Sequence, residues 1–183
     1  MPVNSVDAAR LVIETLNRLS VPYMVVGSFS SNAYGVARNT QDADFVIETD
    51  QFINRIRDEL APAFVMDPQI GFETKLMTTK FRFHHEPTDF RIEVFILSDD
   101  PHDRERFARR VKVEQDGFTM YLPTAEDVII QKLRWGRAKD KLDIADIIDV
   151  QADRLDWDHI YRWADEHGTR ALLEEIRTSL PPL

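Results

Sequence analysis

The chain has 183 residues, 43% hydrophobic and 30% charged, the make-up of an ordinary soluble globule: one domain, or a core with a small appendage. A formal net charge of −9 disfavours a broad grip on nucleic-acid backbone. The absence of cysteine removes disulfides and thiolate metal sites and suits the cytoplasm. Met1-Pro2-Val3-Asn4 carries no basic stretch leading into an apolar one, so no secretion signal is expected. Apolar runs such as Val94-Phe95-Ile96-Leu97 are too short to span a bilayer.

In chain order, Val6, Ala9, Val12, Ile13, Leu16 and Leu19 recur at helical spacing and predict a helix over 5–19, capped by Asn4 or Ser5. Val21-Pro22 breaks it, and Tyr23 to Val26 predicts a buried strand. Gly27-Ser28 opens a second helix that Gly35 stops. Ala43 to Glu48 predicts a strand, and Gln51 to Leu60 a helix ended by Pro62. Residues 66–79 give only turn signals, Asp67-Pro68 and Gly71. Lys80 to His85 and Phe90 to Leu97 read as a hairpin turning at Glu86-Pro87-Thr88. A short helix near 102–109 is followed by a second hairpin around Asp116-Gly117. From Pro123 the pattern turns helical: Thr124, with Asp127 three residues on, resembles a capping box before Val128-Ile129-Ile130. Further helices are predicted near 140–150, from Asp156 to before Gly168, and from Thr169 to about Ser179, where Pro181-Pro182 stops the last. The division expected is a core over 1–122 and a C-terminal helical subdomain over 123–183.

Two features carry chemistry. The amides of a helix start lack internal partners and that end is electropositive, so Gly27 and Ser28 can receive phosphate, although Gly-Ser before a helix also serves as a plain tight turn. Asp42 and Asp44, at i and i+2 on a strand, project from one face. Such neighbours repel unless a cation sits between them, and a divalent metal carrying phosphates fits. A third acid, Glu93, lies in Arg91-Ile92-Glu93-Val94-Phe95. If its strand neighbours that of the aspartates, the cluster can hold two metals about 4 Å apart and clamp an in-line displacement. Asp89, at the turn, is the rival third acid.

Gly27-Ser28, then Arg38-x-Thr40-x-Asp42-x-Asp44, then a later strand acid, resembles the DNA polymerase beta-like nucleotidyltransferase superfamily. The resemblance is greater to the small bacterial minimal nucleotidyltransferases and the AbiE-type toxin relatives. The stretch from Glu126 to Trp135 is similar to the helix after the core in uncharacterised members, with Asp146 or Asp143 as a matching downstream acid. The resemblance implies an α+β fold: a nucleotidyltransferase-like mixed sheet with flanking helices and a helical tail. It implies that Gly27 and Ser28 hold nucleotide phosphates and that Asp42 and Asp44 bind Mg²⁺ or Mn²⁺. Glu93 would be the third acid, as metal ligand or base, replacing the commoner aspartate. Lys132 would neutralise the triphosphate.

The same residues admit plainer roles. Lys132 could pair with Asp143 or Asp146, and Arg38 could position its turn rather than touch phosphate. Trp135, Trp157 and Trp163 read as core, and His84 and His85 as surface or packing residues. Arg104, Arg106, Arg109, Arg110 and Lys112 read either as a helix face balanced by Asp103 and Glu105 or as a docking surface for an acidic acceptor. The expected activity is magnesium-dependent transfer of a nucleoside monophosphate from a nucleoside triphosphate such as ATP to an acceptor hydroxyl. The acceptor is open among RNA, protein and a small molecule, and a protein partner is compatible. The rivals are a non-catalytic nucleotide- or partner-binding module and a toxin-like enzyme acting on tRNA.

Overall fold

The computed structural model describes residues 4–115 and 117–180. Residues 1–3, Asp116 of the expected Asp-Gly turn and the Pro181-Pro182 stop lie outside the described residues. The chain forms two compact units. One runs from the amino-terminal end to Phe29 and resumes over Asn39–Leu122; the other joins Ser30–Arg38 to the residues from Pro123 onward.

The first unit begins with α1 (Ser5–Arg18), whose amino end is capped where the Asp7 amide donates to the Asn4 side chain at 2.9 Å. Its stripe of Ala8, Ala9, Val12, Ile13 and Leu16 is buried. Four long strands follow: β1 (Tyr23–Val26), β2 (Asp42–Ile47), β5 (Thr78–His85) and β6 (Phe90–Ile96). The stretch without periodicity supplies two short strands, β3 (Val65–Met66) and β4 (Gly71–Glu73). Sheet order is β1-β2-β6-β5-β3, with β4 also on β5. β2 and β6 run parallel; β1–β2 and β5–β6 run antiparallel. The expected 80s–90s hairpin is therefore present.

Alternation along the strands gives the sheet two unlike faces. Tyr23, Val25, Ala43, Phe45, Ile47, Phe81, Phe83, Ile92 and Val94 enter the main core beneath α1 and α3 (Ile53–Leu60). The expected helix over 51–60 is split, because Thr49 caps a 3₁₀ turn over Asp50–Phe52 before α3 begins. On the other face, Met24 and Val46 pack with Leu97 and with Phe107 of α4 (Pro101–Ala108). Val26 and Phe95 also pack against this cluster, and the strand positions beyond it, Asp42, Asp44, Lys80, Arg82, Arg91 and Glu93, are polar. A two-stranded ribbon, β7 (Val111–Gln115) with β8 (Phe118–Leu122), leans on this unit through an edge-on Tyr23–Tyr121 contact at 5.5 Å.

In the second unit, α5 (Ala125–Trp135), α6 (Ala138–Gln151), α7 (Trp157–Glu166) and α8 (Arg170–Ser179) bury Ile129, Leu133, Ile144, Ile147, Ile160, Leu173 and Ile176 together. Thr124 caps α5 as the sequence predicts, and buried Asp127 lies 2.9 Å from His159 Nε2. The carboxyl half of α2 (Gly27–Tyr34) belongs to this unit. The Tyr34 hydroxyl donates to the Pro123 carbonyl at 2.7 Å, and Gly35 packs so near Ile147 that a Cβ would meet its Cγ1 at 3.2 Å. Burial raises the Tyr34 phenol to about 12, with Glu126 and Asp127 adding to the shift. Of the three tryptophans only Trp163 is core; Trp135 and Trp157 are half-buried, with the guanidinium groups of Arg137 and Arg177 over their rings at 5.3 and 4.3 Å. No helix among the described residues is long and apolar enough to cross a membrane.

Two outcomes follow for stability. Phe45→Ala should cost about 3–5 kcal/mol, read as a lower urea midpoint with an unchanged slope. His85 is fully buried against Phe64, with Nδ1 2.6 Å from the Thr88 hydroxyl. Burial, with His84 adding to it, holds its imidazole below the ordinary value of 6.5. The unfolded chain thus binds the extra proton first, and stability is lost as pH falls through about 6.5. Urea midpoints between pH 7.5 and 5 should decline for the wild type and decline less for His85→Phe.

Candidate active site

Val26 ends β1 and Gly27 turns directly into α2. Gly27 has φ +67°, in the left-handed region. A Cβ built on it would lie 2.1 Å from Asp44 Oδ2. Two constraints thus require glycine here: the turn itself, and the carboxylate packed against it. Ser28 sits half-buried on the first turn, where helix amides have no intrahelical partners.

The aspartates lie on the polar face of β2. The Thr40 hydroxyl donates to Asp42 Oδ1 at 2.6 Å, fixing that carboxylate at the strand entrance. Asp44 is the register partner of Val26 on one side and Glu93 on the other. Paired positions on adjacent strands share a face about 4.8 Å apart, so Asp42, Asp44 and Glu93 occupy one patch, beside the start of α2. Asp89 does not join them. It takes the left-handed turn position at φ 52°, and its oxygen lies 2.9 Å from His84 Nε2. That hydrogen bond, with Arg91 nearby, holds the Asp89 carboxyl below the usual carboxylate range.

Glu93 has an environment that the sequence reading did not include. Lys80 Nζ donates to its Oε1 at 2.7 Å and Arg82 Nε to the same oxygen at 3.2 Å. Both cations come from β5, where Arg82 is the register partner of Glu93. The signal was present in the sequence. A hairpin centred on Pro87-Thr88 pairs 82 with 93, and Lys80 and Arg82 alternate with core Phe81 and Phe83.

Lys132 and Arg38 belong to the helical unit. Lys132 is buried and pairs with Asp143 and, at 3.4 Å, with Asp140. Of its expected partners Asp143 is realised; Asp140 takes the second place instead of Asp146, because it enters α6 one turn earlier on the same face. Burial works against the Asp140 charge, yet Arg137 and Lys132 hold its carboxyl below the usual range. Arg38 also bonds Asp143, and its backbone is pinned by Asn32, whose Nδ2 donates to the Arg38 carbonyl at 2.7 Å.

The run at 104–112 is not one basic surface. Arg106 is buried on Asp103 at 2.7 Å, Arg104 pairs with Asp99 at 2.6 Å, and Lys112 with Glu114 at 2.8 Å. The Arg110 guanidinium lies 4.2 Å from the Phe107 ring centroid. The balanced alternative holds for Asp103, although in a buried pair rather than a solvated one.

Solved structures share this fold at low identity. One is ANT(2'')-Ia in complex with adenylyl-2''-tobramycin: TM-score 0.63, 8% identity, 91% of this chain and 98% of that one covered. A second is the lincosamide antibiotic adenylyltransferase LnuA, lincomycin-bound: TM-score 0.57, 10% identity, coverage 78% and 95%. A third is an antigenic nucleotidyltransferase-like protein from Paracoccidioides brasiliensis: TM-score 0.54, 18% identity, coverage 78% and 73%. At these identities the likeness shows the fold, a mixed α+β nucleotidyltransferase-like architecture. No curated protein matches at the sequence level. The sequence does match a family profile over residues 4–179, and the chain belongs to that family, described as "Nucleotidyltransferase of unknown function (DUF6036)".

Proposed function

We propose that this chain transfers a nucleoside monophosphate from a nucleoside triphosphate, such as ATP, to an acceptor hydroxyl, with release of pyrophosphate, in the cytoplasm. The observation that carries this reading is the register that sets Asp42, Asp44 and Glu93 on one sheet face beside the Gly27 turn. Three carboxylates make an all-oxygen donor set, which suits a hard cation such as Mg²⁺ or Mn²⁺. Asp42 and Asp44 would hold it, with Glu93 as the third donor. When bound, the cation supplies charge neutralisation at the transferring phosphoryl group.

The rest falls to the chain's own groups. The amides at the start of α2 and the Ser28 hydroxyl receive the phosphates. As the acceptor oxygen bonds to the α-phosphorus, the bond to the pyrophosphate oxygen breaks. The hydroxyl proton passes to a carboxylate of the cluster. Positioning and electrostatics account for most of the acceleration in such chemistry. Lys132, engaged by two buried aspartates, enters this proposal as a structural residue of the helices.

Incubation with Mg²⁺ and each labelled triphosphate should release pyrophosphate from the wild type. Asp42→Asn/Asp44→Asn should lower that rate by about 10³-fold or more while circular dichroism stays unchanged. Absence of nucleotide binding by wild-type protein in calorimetry would sink the proposal; nucleotide held without turnover would leave the binding module. Gly27→Ala should abolish pyrophosphate release through displacement of Asp44, with a loss comparable to that of the aspartate pair.

A further inference from the structure

Glu93 stands at a fork. Its register row runs from Arg82 on β5, through Glu93 on β6, to Asp44 on β2. Its neighbours on the two sides have opposite charge and lie about equally far away. The carboxylate is turned to the cationic side, and one oxygen, Oε1, accepts from both Lys80 and Arg82.

The cationic side is built for this contact. Gly71 is the register partner of Lys80, and a Cβ there would lie 2.9 Å from Lys80 Cγ and 3.5 Å from Arg82 Nη2. The missing side chain makes room for both cations to reach Glu93. The Lys80 ammonium also lies 5.5 Å from the Phe95 ring centroid. Lys80 and Glu93 are only 18% and 27% exposed, unlike the solvated pairs elsewhere on the surface. Arg82 has a second anion within reach, Asp67 at 3.7 Å.

We propose that Lys80 and Arg82 form a counter-ion latch on Glu93 that nucleotide phosphate releases, so that cation and nucleotide bind cooperatively. The latch rests on the transferase reading above. Held toward β5 through Oε1, the carboxylate offers a divalent ion beside Asp44 at most its other oxygen; presenting both oxygens there means giving up those hydrogen bonds, and a cation stripped of its partner is costly. Phosphate oxygens are a ready replacement, because lysine and arginine both bind phosphate strongly. Nucleotide arrival therefore frees Glu93 to turn toward Asp44, and by reciprocity the cation raises nucleotide affinity by the same factor.

The test measures Mn²⁺ binding to the full chain by the electron paramagnetic resonance of free Mn²⁺, with and without a non-hydrolysable triphosphate analogue. Asp42→Asn/Asp44→Asn protein corrects for Mn²⁺ held by the analogue itself. Lys80→Met/Arg82→Met should raise nucleotide-free Mn²⁺ affinity about tenfold and shrink the analogue's effect. Arg91→Met removes a cation from the same strand face without touching Glu93, and should leave both quantities near wild type. Lys80→Arg should restore the coupling to the single Lys80→Met variant. Equal Mn²⁺ affinity in the double variant and wild type, or an equal rise in Arg91→Met, would overturn the latch alone. A wild type that binds neither Mn²⁺ nor nucleotide would overturn the transferase reading, and the latch with it.

Discussion

Asp44 and Glu93 are neighbours because Phe45 and Val94, the next residues along their strands, are register partners buried on the opposite face. A one-residue slip of β6 against β2 would turn Glu93 into the core and Val94 into water. The apolar pattern of these two parallel strands thus holds the acidic patch in place. Every other element of the candidate site is arranged about that pairing. β1 brings the helix start to one flank, and β5 brings two cations to the other.

Setting three acids on one face carries an electrostatic cost, which the first unit meets in a different way at each position. Asp44 lies against a glycine at the helix start, where backbone dipoles favour negative charge. Asp42 takes a hydroxyl donor from Thr40. Glu93 takes two formal cations. Glu93 is thus held toward β5 by side chains of the neighbouring strand. Its longer side chain suits this, since one extra methylene lets the carboxylate reach across to β5.

The helical unit handles charge differently. Lys132, Asp140 and Asp143 are buried among Ile and Leu side chains, so the partners must satisfy one another. Arg38 and Arg137 extend the cluster to the surface. Pinning Asp143 from both α5 and the 30–38 segment ties that segment to helices more than ninety residues later in the chain, an arrangement strengthened by the Tyr34–Pro123 and Gln151–Tyr34 hydrogen bonds.

Much of this was legible in the sequence, because it depends on local rules. The helix caps at Asn4 and Thr124, the Gly27 turn, the alternation that puts Asp42 and Asp44 on one face and the β5–β6 hairpin all follow from neighbours within a few residues. The family resemblance rested on the same spacings. Tertiary structure alone decided what pairs across strands and between helices. Periodicity tells which way a side chain faces, but not which strand lies beside it. The juxtaposition of Asp44 with Glu93 and the burial of Lys132 on Asp140 and Asp143 are long-range outcomes of packing, whereas the capture of Glu93 by Lys80 and Arg82 follows from the hairpin register. The short strands β3 and β4 were unreadable for the same reason: two or three residues carry too little period to register, and pairing with β5 alone gives them their form.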